Sequence, residues 1–240
     1  MQAQAGNAVQ WGNVAQWVSG VATSLAVIVA LFKEDYIRWR RHPKLTASIE
    51  AKYPDCVRTP AAWRGVNKEK PWKGWRYWLR VWVKNEGNVR AEKVEVFLSG
   101  AWVMQNNGVF EPLINFTPMN FLWSNTQEAY VDGISPDMRR LCDFGSILEP
   151  AYSDPANPSL SETRLSLRLQ VPPATTDWLP PGRYKFEIKI AGSNCEPVTR
   201  CIHLHLTGRW HGEPTEMLAH GFTVTVSSGC ESADTRLSAT

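Results

Sequence analysis

Val14 to Phe32, VAQWVSGVATSLAVIVALF, is nineteen residues long and carries no charge. No other stretch limits the chain so strongly. As an α-helix it would be roughly 28 Å long, close to the hydrocarbon thickness of a bilayer. A helix on a soluble protein keeps a charged or strongly polar face. Here the polar side chains are only Gln16, Ser19, Thr23 and Ser24. Trp11 and Trp17 lie near one end, and Tyr36 and Trp39 lie near the other, in the manner of interfacial aromatic belts. The expectation is a single uncleaved transmembrane helix over 14–32, after a short tail over 1–13. That tail has no charge, so it lacks the basic start of a signal peptide.

Five cations follow the helix and none precedes it: Lys33, Arg38, Arg40, Arg41 and Lys44. By the positive-inside rule, this basic juxtamembrane segment (33–43, with Lys44 just beyond) faces the cytoplasm. The chain is then expected in the cell (inner) membrane as a single-pass protein, N-terminus outside and C-terminal domain cytoplasmic. Two sets of small residues recur at helical spacing, Ala22, Ala26 and Ala30, and Gly20 with Ser24. Such faces let helices approach closely, so a homo-oligomer through the transmembrane helix is one expectation. Membrane lipid and another protein are the other expected partners.

Beyond Pro43 the hydrophobic period becomes two, which marks strands. A first strand is read in KLTASIEAK (44–52), followed by a loop over 53–74. In RYWLRVWVK, Tyr77, Leu79, Val81 and Val83 share one side, and Arg76, Trp78, Arg80, Trp82 and Lys84 share the other. Asn85-Glu86-Gly87-Asn88 reads as a hairpin turn, and the return strand points Val94, Val96 and Leu98 inward. Further alternating runs are MRRLCDFGSIL, TRLSLRLQV, GRYKFEIKI, RCIHLHL and FTVTV (222–226). Many short strands without a strong later helix predict a mainly β fold: an antiparallel, immunoglobulin-like β-sandwich over 44–226. One enlarged sandwich is preferred to two small ones. A disordered tail is expected over 227–240.

WVKNEGNVRAEKVEVFLSG resembles the strand–turn–strand of CARDB-type, immunoglobulin-like adhesive modules. The whole chain also resembles a loose group of uncharacterised bacterial single-pass membrane proteins. These join one N-terminal helix, a basic segment ending in Pro-Lys-Leu (here Pro43-Lys44-Leu45) and a β-rich domain. They end in a pattern like PPGRYKFEIKI…LTGRWHGEPTEML. The resemblance implies a fold and an anchored topology, and no catalytic residues.

Residues 58 to 84 hold eight Lys or Arg, one acid (Glu69) and five Trp: 63, 72, 75, 78 and 82. The ladder of Arg76, Trp78, Arg80, Trp82 and Lys84 admits three readings. It could meet an anionic leaflet. It could stack a nucleotide or nucleic acid while cations meet phosphates. It could instead be covered, with its arginines paired to acids such as Glu95.

Cys201, His203 and His205 share a strand side and have zinc-ligand types, but no fourth ligand is placed, so no metal is assigned. The five cysteines form no CxxC and are read as thiols of a reducing compartment. A Cys195–Cys201 bridge is considered only for a domain outside the cytoplasm. Asp143-Phe144-Gly145 matches a kinase triplet without its companion motifs. No catalytic constellation or cofactor is expected. The leading expectation is a membrane-anchored, non-enzymatic binding protein; the alternative is a ligand-gated membrane effector that senses a nucleotide or nucleic acid.

Overall fold

A computed structural model describes residues 13–40, 42–63, 72–150, 162–170 and 178–230. The chain divides into two compact units, Met1–His42 and Pro43–Thr240. The described residues of the first include the helix α1 (Asn13–Arg40), whose side chains are described from Trp17 to Lys33. The helix runs past Phe32 because nothing in KEDYIRWR breaks it; the first proline is Pro43. Lys33 is therefore part of the helix rather than the start of a separate segment, and so are the backbones of Arg38 and Arg40. The Arg38 and Arg40 side chains, all of Arg41, and the tails over 1–12 and 231–240 lie outside the described residues.

Among the described residues no helix is long and apolar enough to cross a membrane. Val14 to Gln16 of the uncharged stretch precede the first described side chain. From Trp17 onward α1 exposes its apolar groups, with Trp17 at 73%, Leu31 at 69% and Phe32 at 62%. Its hydroxyls are satisfied internally. Thr23 donates to the Ser19 carbonyl and Ser24 to the Gly20 carbonyl, both at 2.8 Å. Gly20, Ala22, Ser24, Ala26 and Ala30 are all exposed along the helix.

The second unit is mainly β. Among the described residues fourteen strands form two antiparallel seven-stranded sheets. The first sheet has the order β1 (Leu45–Ser48), β3 (Trp72–Asn85), β9 (Arg139–Leu148), β10 (Arg164–Leu167) and β11 (Trp178–Leu179). β2 (Cys56–Trp63) also pairs β3, and β7 (Leu122–Trp123) pairs β9. The second sheet has the order β14 (Phe222–Ser227), β13 (Cys195–Leu206), β12 (Gly182–Gly192), β4 (Ala91–Met104) and β5 (Phe110–Pro112). β6 (Met119–Asn120) and β8 (Tyr130–Ile134) join β4 as well.

Inward residues of both sheets meet in one core, as in a β-sandwich. β3 contributes Tyr77, Leu79, Val81 and Val83; β4 contributes Val94, Val96 and Leu98; β12 contributes Tyr184, Phe186, Ile188 and Ile190. Phe144 joins the layers, packing on Phe121 at 5.3 Å and edge-on to Phe186 at 5.2 Å between ring centroids. Each such burial contributes roughly 1.5–3 kcal/mol relative to exposure.

Three sequence expectations change. The segment read as a loop over 53–74 contains β2, which pairs β3 from Cys56↔Leu79 to Trp63↔Trp72. Its Pro60 and two alanines hide the strand pattern, and proline is tolerated because β2 lies at the sheet edge. Second, β3 and β4 are not a paired hairpin, because they lie in different sheets. The chain crosses between the sheets over Asn85–Arg90, and Asn85 fixes the crossing. Its fully buried side chain donates to the carbonyls of Val89 (2.7 Å) and Ile134 (2.9 Å). It accepts from the amides of Lys44 (3.1 Å) and Gly87 (2.9 Å). Third, the last strand runs through Ser227, and Cys230 forms a disulfide with Cys201. This departs from the reading of all five cysteines as thiols. The free cysteines are Cys56, Cys142 and Cys195.

Candidate functional site

β3 lies between β2 and β1 on one side and β9 on the other, so its outward side chains form the spine of the first sheet's outer face. Arg76, Trp78, Arg80, Trp82 and Lys84 all lie on this face and all are half-buried. Strand alternation puts them there, since their neighbours Tyr77, Leu79, Val81 and Val83 are in the core.

Trp82 is fixed at both its polar and its flat surfaces. Its indole N–H donates to Asp55 Oδ1 at 2.7 Å, and the Arg139 guanidinium lies 4.1 Å from its ring centroid. Asp55 is itself buried; its other oxygen accepts from the Glu50 amide at 2.9 Å. Trp82 is thus a packed strut. Lys84 lies 3.8 Å from Glu86, an exposed pair of little energetic weight.

Trp78 has the Arg76 guanidinium at 5.0 Å and the Arg80 guanidinium at 6.0 Å from its ring centroid. Arg80 is paired with Asp143, not with an acid such as Glu95. Its Nε lies 3.3 Å from Asp143 Oδ1, although off the hydrogen-bond direction. Glu95 belongs to the second sheet and accepts from Asn120 at 2.9 Å. Asp143 is buried and already accepts from the Ser124 hydroxyl (2.5 Å) and from Gln127 Nε2 (3.3 Å). The oxygen of that Gln127 amide receives Arg168 through Nε (3.2 Å) and Nη2 (2.5 Å).

Arg76 has a buried Nε without a hydrogen-bond partner. Burial, and secondarily the charge of Arg168, lower its pKa from the usual guanidinium value.

The sequence reading missed Arg168, Gln127 and Asp143. The signal for Arg168 was present in the alternation of TRLSLRLQV, which puts Arg164, Ser166 and Arg168 on the outer side. Gln127 has no such signal, because its loop (Ser124–Glu128) carries no period. Trp63 and Trp72 lie in strands, but their side chains fall outside the described residues.

The Cys201-His203-His205 edge has no thiolate to offer, because Cys201 is bonded to Cys230. Among the described residues no group of three or more His, Cys, Asp or Glu is arranged to hold a metal ion. His203 lies opposite Lys185, and burial together with that cation lowers its pKa. An open cavity of about 470 Å³ borders Lys93 and Glu95 of β4, Tyr130 of β8 and Gly192 at the end of β12.

Comparison of the chain with protein families, curated proteins and solved structures finds no match.

Proposed function

We propose that this protein is a membrane-tethered, non-enzymatic binding module, in which α1 is a single-pass anchor and the β-sandwich meets a partner protein. The observation that carries this reading is the exposed apolar surface of α1. Eight aliphatic or aromatic residues between Val18 and Phe32 are each about half or more exposed along one helix, while the β unit gathers most of its apolar groups in one core and exposes only scattered ones such as Tyr53, Ile114 and Met138. Water disfavours an apolar surface of that extent, and a bilayer removes the cost. The internal hydroxyl bonds of Thr23 and Ser24 suit a medium that offers no water partners. The immunoglobulin-like resemblance of the β unit, and its edge strands, suit a role in protein contact.

The cations that follow the uncharged stretch favour a cytoplasmic β domain. A second reading reverses the orientation, and the Cys201–Cys230 disulfide favours it, because such bonds persist in oxidising compartments. Protease added to inverted membrane vesicles decides between them. The first reading expects the β domain to be digested there and protected in spheroplasts. The opposite pattern selects the second reading, and release of the intact chain from both preparations contradicts anchoring.

A further inference from the structure

We propose that the outer face of the first sheet binds a phosphate-type oxyanion between Arg76 and Arg168, above a floor of Ser146 and Ser166. This inference does not depend on the anchoring of α1. The strand registers build the site. Trp78 on β3 is opposite Ser146 on β9, and Ser146 is opposite Ser166 on β10. Directly opposed residues of antiparallel strands share a face, so indole, hydroxyl and hydroxyl form a row across three strands. Arg76 is two residues before Trp78 on β3, and Arg168 is two residues after Ser166. The two arginines flank the row from opposite ends, and Arg168 acts on the charge of Arg76.

Neither guanidinium has a carboxylate partner among the described residues. Among the described residues Arg168 is held by the neutral oxygen of Gln127, and Arg76 keeps a buried, unbonded Nε. The buried acids near this face are committed elsewhere: Asp143 to Ser124, Gln127 and Arg80, and Asp55 to Trp82 and the Glu50 amide. Arg164, aligned with Arg76 through Leu148, and Glu149, the residue after Leu148, hold interactions of their own. Two like charges brought together with an unmet donor repel each other and lose hydration. An oxyanion placed between them offsets that repulsion, and the fork of an arginine matches the oxygens of a phosphate in pairs. Ser146 and Ser166 offer hydroxyl donors beneath it. A free phosphomonoester and a phosphatidate headgroup present the same chemistry.

The full chain in discs of neutral lipid, dialysed against radiolabelled inorganic phosphate in low-salt chloride buffer, tests this. Wild type should retain phosphate at near one equivalent. Arg76→Gln and Arg168→Gln should each weaken retention at least tenfold, and Arg183→Gln, an exposed change on the second sheet, should not. Arg168 is exposed, so its variant keeps the test sound if Arg76→Gln disturbs folding. No retention by wild type above the chloride control would overturn the proposal, and so would equal loss in Arg183→Gln. Discs containing phosphatidic acid identify the source. Displacement of the label by the lipid alone points to a headgroup, and displacement by soluble phosphomonoesters alone points to a free ligand; either outcome upholds the site.

Discussion

The two sheets each place cations against aromatic rings on their outer faces, and they do so with different results. On the second sheet Lys185 lies 4.8 Å from the Trp102 ring centroid and 5.3 Å from that of Phe110. It is only 7% exposed, so the rings close over it. Its neighbour Glu187 accepts a hydrogen bond from Ser99 at 2.6 Å, and this face carries both signs of charge. On the first sheet the arginines beside Trp78 stay half-open, two of their Nε atoms have no hydrogen bond, and Asp143 is the buried acid among them. The same pairing of cation and ring therefore serves as packing where it is sealed and as a site where it is open and unbalanced. Residue types alone do not separate the two cases; exposure and unmet donors do.

The largest effect should come from the crossing that holds both faces in place. Asn85→Ala leaves the amides of Lys44 and Gly87 and the carbonyls of Val89 and Ile134 short of partners. Loss of about 2–4 kcal/mol in urea unfolding is expected, with both sheets melting together. Asp143→Asn acts on the first face alone. It should cost about 1–2 kcal/mol and tighten phosphate retention several-fold, because it removes the acid that opposes the arginines. Unchanged retention would detach Asp143 from the site's electrostatics.

Lys185→Met should alter stability by less than about 1 kcal/mol and leave phosphate retention as it was, since a sealed cation over rings is replaceable by an apolar chain. The smallest effect is a pH effect. The folded state holds the pKa of His203 below its ordinary value, so the unfolded chain takes up this proton first. Stability from this group is present above pH ~6.5 and is lost as the pH falls below it. His203 is an exposed residue, so the change stays well under about 1 kcal/mol, and His203→Gln should flatten that part of the pH profile.

Much of this layout was legible in the sequence. Period-two alternation identified the inward and outward sides of β3, β4, β12 and β13, because a sheet with one buried face imposes that alternation directly. It could not show that β3 and β4 separate into different sheets. An Asn-Glu-Gly turn reads as a hairpin locally, whereas the bonds that make it a crossing come from Lys44 and Ile134, distant in sequence. β2 was hidden by Pro60 and its alanines. Arg76, Trp78 and Arg80 could be picked out as a pattern, but Asp143, Gln127 and Arg168 join them only through sheet register. Nor does cysteine spacing reveal Cys201–Cys230, since the bond depends on where the end of β14 brings the chain.

The disulfide gives a count that sharpens the topology. Denatured protein alkylated without reductant should show three reactive thiols, and five after reduction. In the folded state Cys56, its pKa pushed up to about 12 by burial, and the buried Cys142 should resist alkylation, while the half-exposed Cys195 reacts. Five thiols without reductant, in protein taken directly from cells, would favour the cytoplasmic orientation.

Whether α1 anchors the chain is decided by alkaline carbonate extraction of membranes carrying the full chain, beside a chain in which Val21 and Val27 are both replaced by Asp. The native chain should stay in the membrane pellet, and the doubly charged chain should be released with its β unit folded. Native chain in the supernatant, or equal retention of both, would contradict α1 as the anchor.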